Sequence, residues 1–123
     1  MYTSFFLVIT AASSVLGGCF SGGENWASQR SIALSNAQDI CNTKFSKADW
    51  NAKGQSLAGC YNLDSEKQVD FILERIQDGH RDISASECYD GFQKQINNCD
   101  HGGSTSYSNW KYTADPNANS CAA

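Results

Sequence analysis

Between about Ser28 and Thr43, the apolar residues Ile32, Ala33, Ala37, Ile40 and Cys41 recur at helical spacing and predict a first helix. Gly54 breaks that pattern. Gln55 to Leu63, carrying Leu57, Cys60 and Tyr61, then reads as a strand, with Asp64-Ser65 as its turn. Lys67 to Ile76 alternates with period two: Val69, Phe71 and Leu73 lie on one side, Asp70, Ile72 and Glu74 on the other. Gln77-Asp78-Gly79 closes this second strand. Ser84-Ala85-Ser86-Glu87 is a capping box. The helix it opens runs to about Asn98, with Cys88, Phe92, Ile96 and Cys99 on one stripe. His101-Gly102-Gly103 ends it, since glycine accepts the left-handed conformation that follows a helix. Tyr107 to Thr113 reads as the last strand and Asp115-Pro116-Asn117 as a turn. A short first strand, Cys19-Phe20-Ser21, precedes the turn-prone Gly22-Gly23.

The order β-α-β-β-α-β predicts an α+β fold: a two-layer α/β sandwich of the split βαβ kind, an antiparallel sheet with two helices on one face. The other face, with Ile72 on it, is then free for a partner, and a homodimer through it is expected.

The first seventeen residues stand apart from this pattern. Phe5 to Ala12 is a short apolar run ending in small residues, and Val15 and Gly17 occupy the −3 and −1 positions of a cut before Gly18. A membrane-spanning helix needs about twenty apolar residues, so residues 1–17 read as a secretory signal peptide and 18–123 as one secreted, extracellular domain. Lipidation of Cys19 would leave an odd cysteine, which disfavours a lipoprotein. Secretion makes Cys19, Cys41, Cys60, Cys88, Cys99 and Cys121 an even set for three disulfides. Six cysteines allow fifteen connectivities. Alternating strands group Cys60 with Cys99 at one end of the layers, which makes a Cys60–Cys99 bridge one of the candidates.

Charge and motifs remove several classes of function. Thirteen Asp+Glu against nine Lys+Arg give a net charge of −4 and a pI near 4.9. Phosphate contacts need clustered Lys and Arg, so neither nucleic acid nor an anionic membrane is an expected partner. No Gly-x-Ser-x-Gly, phosphate-binding glycine loop or EF-hand spacing occurs. No CxxC pair or His/Cys cluster has zinc spacing, so no metal site and no cofactor are expected. A ribonuclease would need a Glu/His pair. Glu87 and His101 lie at opposite ends of one helix, about 20 Å apart at 1.5 Å per residue, and cannot act together. Glu74 with His101 or His80 stays open. His80 otherwise reads as a solvated loop residue and His101 as a helix C-terminal imidazole favoured by the helix dipole.

Aromatic residues carry the remaining signal. Trp26, Trp50, Tyr107, Trp110 and Tyr112 are interleaved with Asn25, Asn51, Asn109, Asp115 and Asn117. Flat rings beside amides and carboxylates suit carbohydrate, which offers C–H faces for stacking and hydroxyl edges for hydrogen bonds. Period two puts Trp110 and Tyr112 on one side of the last strand. Whether that side faces the helices, as core, or the open surface is not decided by the alternation.

Several short motifs carry a resemblance across nearly the whole mature chain. They are Cys19-Phe20-Ser21-Gly22 followed by Trp26, Gly59-Cys60-Tyr61, and the stretch Cys88 to Cys99. The most specific run is Cys99-Asp100-His101-Gly102-Gly103, Asn109-Trp110-Lys111-Tyr112, Asp115-Pro116-Asn117 and Cys121. Together they resemble the mushroom glycan-binding proteins of the ink-cap type. The resemblance implies a lectin-like α/β sandwich able to dimerise through its sheet, binding glycans or glycoproteins. The chain departs at Asn119-Ser120, where that pattern has a glycine before the last cysteine; asparagine can take the same positive φ. The reading is a secreted, non-enzymatic, carbohydrate-binding protein. Trp110 or Tyr112 would stack on the sugar, Asn109, Asp115 and Asn117 would hold its hydroxyls, and Tyr107 and Trp26 are the next candidates. A fungal effector or toxin-like protein acting on a protein or membrane target is the alternative, and a small secreted ribonuclease the third.

Overall fold

The computed structural model describes residues 17–122, so the leader expected over residues 1–17 lies outside it except for Gly17. In chain order the elements are β1 (Gly17–Cys19), α1 (Arg30–Thr43), β2 (Ser56–Asp64), β3 (Lys67–Arg75), α2 (Ala85–Asn98), β4 (Gly103–Tyr107) and β5 (Trp110–Ala118). A 3₁₀ turn, Ala27–Gln29, leads into α1. The strands form one sheet in the order β1-β4-β5-β3-β2, and every neighbour is antiparallel. Both helices pack on one face of it. The α+β sandwich expected from the pattern is therefore present: β3-α2-β4 is a split βαβ unit, its two parallel strands separated by β5, and the β2-β3 and β4-β5 hairpins and the edge strand β1 complete the sheet.

Local rules explain most boundaries. Ser84 caps α2, its Oγ accepting a hydrogen bond from the Glu87 amide at 3.1 Å. The C-terminal region differs from its sequence pattern. Where one strand and a turn were expected, there is a hairpin turning at Ser108-Asn109, with Ser108 at φ 56°. Asp115-Pro116-Asn117 belongs to β5, because β3 pairs along all nine residues of β5, from Lys67↔Ala118 to Arg75↔Trp110. Proline is tolerated there since β4 has already ended, its last pair being Gly103↔Ala114. A Cβ at Gly102 (φ 76°) would lie 2.7 Å from the Pro116 ring, which leaves glycine as the residue that fits. Asn119 has φ 75°, the conformation that lets asparagine stand in for the expected glycine.

The core is the single interface between helices and sheet. Val69, Phe71 and Leu73 from β3 and Trp110, Tyr112 and Ala114 from β5 face Ala33, Ala37 and Ile40 of α1 and Phe92 and Ile96 of α2. Three disulfides brace it: Cys19–Cys99, Cys41–Cys88 and Cys60–Cys121. Cys41–Cys88 ties the two helices together. Cys60–Cys99 does not form: Cys60 lies in register with Asp70, on the face opposite Phe71, and meets the C-terminal tail. Cys99, at the end of α2, meets β1 instead. Each bridge closes a loop of tens of residues and contributes typically about 2–4 kcal/mol.

The open face is polar. Across it run Ser104 and Ser106, Lys111, Thr113, Asp115 and Asn117, then Gln68, Asp70 and Glu74. Ile72, 37% exposed, is the one large apolar side chain on this face among the described residues. The apolar surface expected to support self-association is thus reduced to that residue.

Gly91 gives a test of how tightly the core is packed. A Cβ there would come within 2.2 Å of the Tyr112 ring. Gly91→Ala favours the helix by about 1 kcal/mol, but overpacking costs about 1–3 kcal/mol. Since the ring is buried between Phe92 and Tyr107, the clash wins. The variant should melt several degrees lower, and a melting temperature at or above wild type would show that the ring moves aside freely.

Candidate functional site

The fold decides first which aromatic residues can meet a ligand. Trp110 is 0% exposed. It stands edge-on to Trp50 at 5.0 Å between centroids, and the Arg75 guanidinium carbon lies 5.4 Å from its ring. Tyr112 is buried edge-on against Phe92, 5.2 Å away, and burial, with the Glu87 and Asp90 carboxylates, pushes its phenol pKa up. Trp26 is buried as well, its indole nitrogen donating to the Cys99 carbonyl at 2.7 Å. The stacking expected of Trp110 and Tyr112 is corrected accordingly: both rings face the helices, where no sugar reaches. Tyr107 is half-buried on the same side, with Lys94 Nζ 4.4 Å from its ring centroid.

The polar residues named with them are dispersed. Asn109 sits in the β4–β5 turn, where its carbonyl accepts from the Ile76 amide and from Arg75. Asp115 and Asn117 lie on the open face. Asp115 is the direct cross-strand partner of Asp70, and Asn117 Nδ2 donates to Asp70 Oδ2 at 2.7 Å. Burial pushes the Asp115 carboxyl up, with Asn117 opposing and the Asp70 charge adding to the rise. Glu74 shares this face beside Lys111, near the β4–β5 turn. His101 lies before the other end of β4, so the structure does not bring the Glu74/His101 pair together.

A different set of residues converges at the corner where the chain enters α1 and leaves α2. Trp26 anchors this corner twice, its amide bonding the Asp100 carbonyl at 3.1 Å and its indole bonding Cys99. Beside it Ala27 is held at φ 50°, a left-handed conformation that costs a non-glycine residue energy. Arg30, on the first turn of α1, donates through Nε to the Ile96 carbonyl and through Nη2 to Asp100 Oδ1, both at 2.9 Å. His101 Nδ1 lies 3.1 and 3.2 Å from the Gly23 and Glu24 carbonyls. Carbonyls only accept, so Nδ1 carries a proton at these contacts, and Nε2 is the ring nitrogen they leave unengaged.

Asn25, Ala27, Arg30, Asp100 and His101 line a shallow cleft of about 220 Å³. Asp100 is 84% exposed and Arg30 37%, so the pair presents a fork of donors beside a carboxylate. Phe20 is the half-buried ring nearest in the chain, its amide bonded to the Gly102 carbonyl at 2.8 Å. Donors and acceptors placed side by side on a solvated rim can hold adjacent hydroxyls. Pattern reasoning flagged Trp26 and Asn25, and Asp100 and His101 in the family-like run, but neither Arg30 nor the convergence of the set, because the two halves of the cleft are some seventy residues apart, as in the Arg30–Asp100 contact. The available signal was the Cys99-to-Gly103 run.

The model of a family described as "Glycan binding domain Y3" matches residues 32–121. That span takes in α1 from Ile32 onward, all of α2, the four strands β2 to β5 and the Asp100-His101 side of the cleft, and leaves out Asn25, Ala27 and Arg30. No curated protein matches the chain.

Two measurements follow from these placements. Trp110→Ala should behave as a core truncation and cost about 3–5 kcal/mol, read as a large fall in melting temperature; an unchanged melting temperature would mean that the ring is not packed as described. Asp115 supplies a pH test. A carboxyl whose pKa is raised by folding contributes stability that is full below its ordinary pKa and lost as pH rises through the raised value. At neutral pH the ionised group is therefore a cost. Asp115→Asn should melt higher than wild type at pH 7, and the difference should vanish below pH about 4. A lower melting temperature at pH 7 would contradict the assignment.

Proposed function

The chain belongs to the glycan binding domain Y3 family, and on that premise we propose that it is a secreted, non-enzymatic lectin-like protein that holds glycan in the Arg30–Asp100–His101 cleft. The observation that carries this reading is the arrangement of the cleft's polar groups. A guanidinium, a carboxylate and an imidazole line one solvated depression, each positioned through backbone contacts of Trp26, Ile96, Gly23 and Glu24. Carbohydrate hydroxyls both donate and accept, and a surface offering both functions side by side matches them. Three disulfides in a chain of 123 residues fit an oxidising compartment. Among the described residues no helix is long and apolar enough to cross a membrane.

Recognition here rests on hydrogen bonds more than on stacking, since every tryptophan is buried. Asp115 and Asn117, on the open face, form the competing polar surface, and Asp70 already engages the Asn117 amide.

Asp100→Ala separates the two surfaces. Its side chain is exposed and bonds only Arg30 among the described contacts, so its loss should cost stability at most about 1 kcal/mol. A lost charged hydrogen bond is worth about 1.5–3 kcal/mol, so affinity for a glycan identified on an array should fall about tenfold or more. Retained affinity in Asp100→Ala, with loss in Asp115→Asn, would move the site to the open sheet face. Silence of the wild-type protein across a broad array would replace the glycan reading with one of a secreted protein acting on a protein or membrane target.

A further inference from the structure

At the opposite end of the sheet from the cleft, two loops meet over the buried Trp50–Trp110 pair. One is the stretch from Ala48 to Gln55 and the other runs from Ile76 to Ile83. Three side chains converge there. His80 Nε2 lies 3.5 Å from Asp49 Oδ1 and 3.2 Å from Asp82 Oδ1, and all three donor atoms fall within 4.8 Å of one another. We propose that Asp49, His80 and Asp82 form a binding site for a divalent transition-metal ion of the zinc class, distinct from the glycan cleft.

The distances carry the first part of the argument. Zinc bonds to imidazole nitrogen and carboxylate oxygen at about 2.0–2.1 Å, so neighbouring ligands on a tetrahedral ion stand about 3.3 Å apart. The two measured edges bracket that value, and the two carboxylate oxygens lie within 4.8 Å of each other. The donor set carries the second part. Calcium takes six to eight oxygens, whereas one imidazole with two carboxylates suits a borderline cation, leaving the outward position to water. No free cysteine exists among the described residues to compete for the ion.

Both loops are positioned before any ion arrives. The Arg81 amide donates to the Trp50 carbonyl at 3.1 Å, between His80 and Asp82 on one side and next to Asp49 on the other. Trp50 is itself fixed by its indole bond to the Phe45 carbonyl, 2.9 Å. Gln55 clamps the Asp49 loop, donating to the Asp49 carbonyl and accepting from the Asn51 amide, both at 2.8 Å. The buried Arg75 holds the other loop through the Asp78 and Gly79 carbonyls, each 3.1 Å away. The backbone behind each ligand is thus tied down, and little ordering is left for metal binding to impose. His80 and Asp82 stand two residues apart, while Asp49 comes from far along the chain, so spacing rules for zinc motifs could not register the set.

The test is calorimetric titration of zinc chloride into the intact, disulfide-bonded protein after chelator treatment and dialysis. One ion should bind per chain, and the melting temperature should rise with zinc but not with the same concentration of calcium. His80→Gln and Asp82→Asn should each weaken binding at least about tenfold, while His101→Gln, at the cleft, leaves it unchanged. Circular dichroism of each variant checks that the fold is intact, as expected for exposed side chains. No zinc uptake by the wild type at about 1 mM, or one-to-one uptake that survives His80→Gln, would overturn the proposal. Neither result bears on glycan binding, which Asp100→Ala tests separately.

Discussion

A two-layer sandwich has one interior, and here aromatic rings fill it. Phe92 of α2 is the centre: Phe45 lies 5.7 Å from it, Phe71 5.3 Å and Tyr112 5.2 Å, so one side chain joins a helix, two strands and the turn after α1. Trp50 and Trp110 extend the cluster toward the loops at one end of the sheet. Each such ring removes a large apolar area from water, at roughly 25 cal/mol per Å². With helices on one face only, there is nowhere else for these rings to go. Every tryptophan is consumed by the fold, and none is left on the surface to stack on a ligand.

That constraint explains what was legible in the sequence. Period two on Lys67 to Ile76 reported β3 and its buried side correctly, since Val69, Phe71 and Leu73 all point inward. The Ser84 cap marked the start of α2 for a purely local reason. The same alternation put Trp110 and Tyr112 together, yet alternation gives only which residues share a side. Which side it is depends on where the helices lie, and that is set by the whole sheet. The turn reading of Asp115-Pro116-Asn117 failed through a non-local cause as well. Local preference favoured a turn, but nine consecutive pairs with β3 outweigh it, and β4 ends early enough to spare the proline. Disulfide pairing was likewise invisible, because Cys60 and Cys99 lie on opposite faces of a sheet whose register no short motif specifies.

Trp26 shows how a buried ring can still serve a surface. It presents nothing to solvent, but its two polar atoms bind the carbonyls of Cys99 and Asp100. The end of α2 is thereby set against the approach to α1, and Arg30 and Asp100 meet as a result. The interleaving of aromatic residues with amides and carboxylates along the chain was a real signal with a different meaning. The rings act from below, as anchors of loops, and the neighbouring polar residues face water.

The same division of labour operates at both ends of the molecule. At the cleft, Trp26 and the Cys19–Cys99 bridge hold together segments separated by eighty positions at the disulfide. At the other end Trp50, Trp110 and Arg75 hold the loops that carry Asp49 and His80. Arg75 is buried with no carboxylate beside it among the described contacts, and its charge is met by the carbonyls of Asn109, Asp78 and Gly79. Burying a cation is costly unless its donors are satisfied; Nη1 and Nη2 meet these carbonyls, while the buried Nε has no hydrogen-bond partner among the described residues. The loops are therefore shaped by what lies beneath them, and their outward side chains are left free for binding without a loss of core stability.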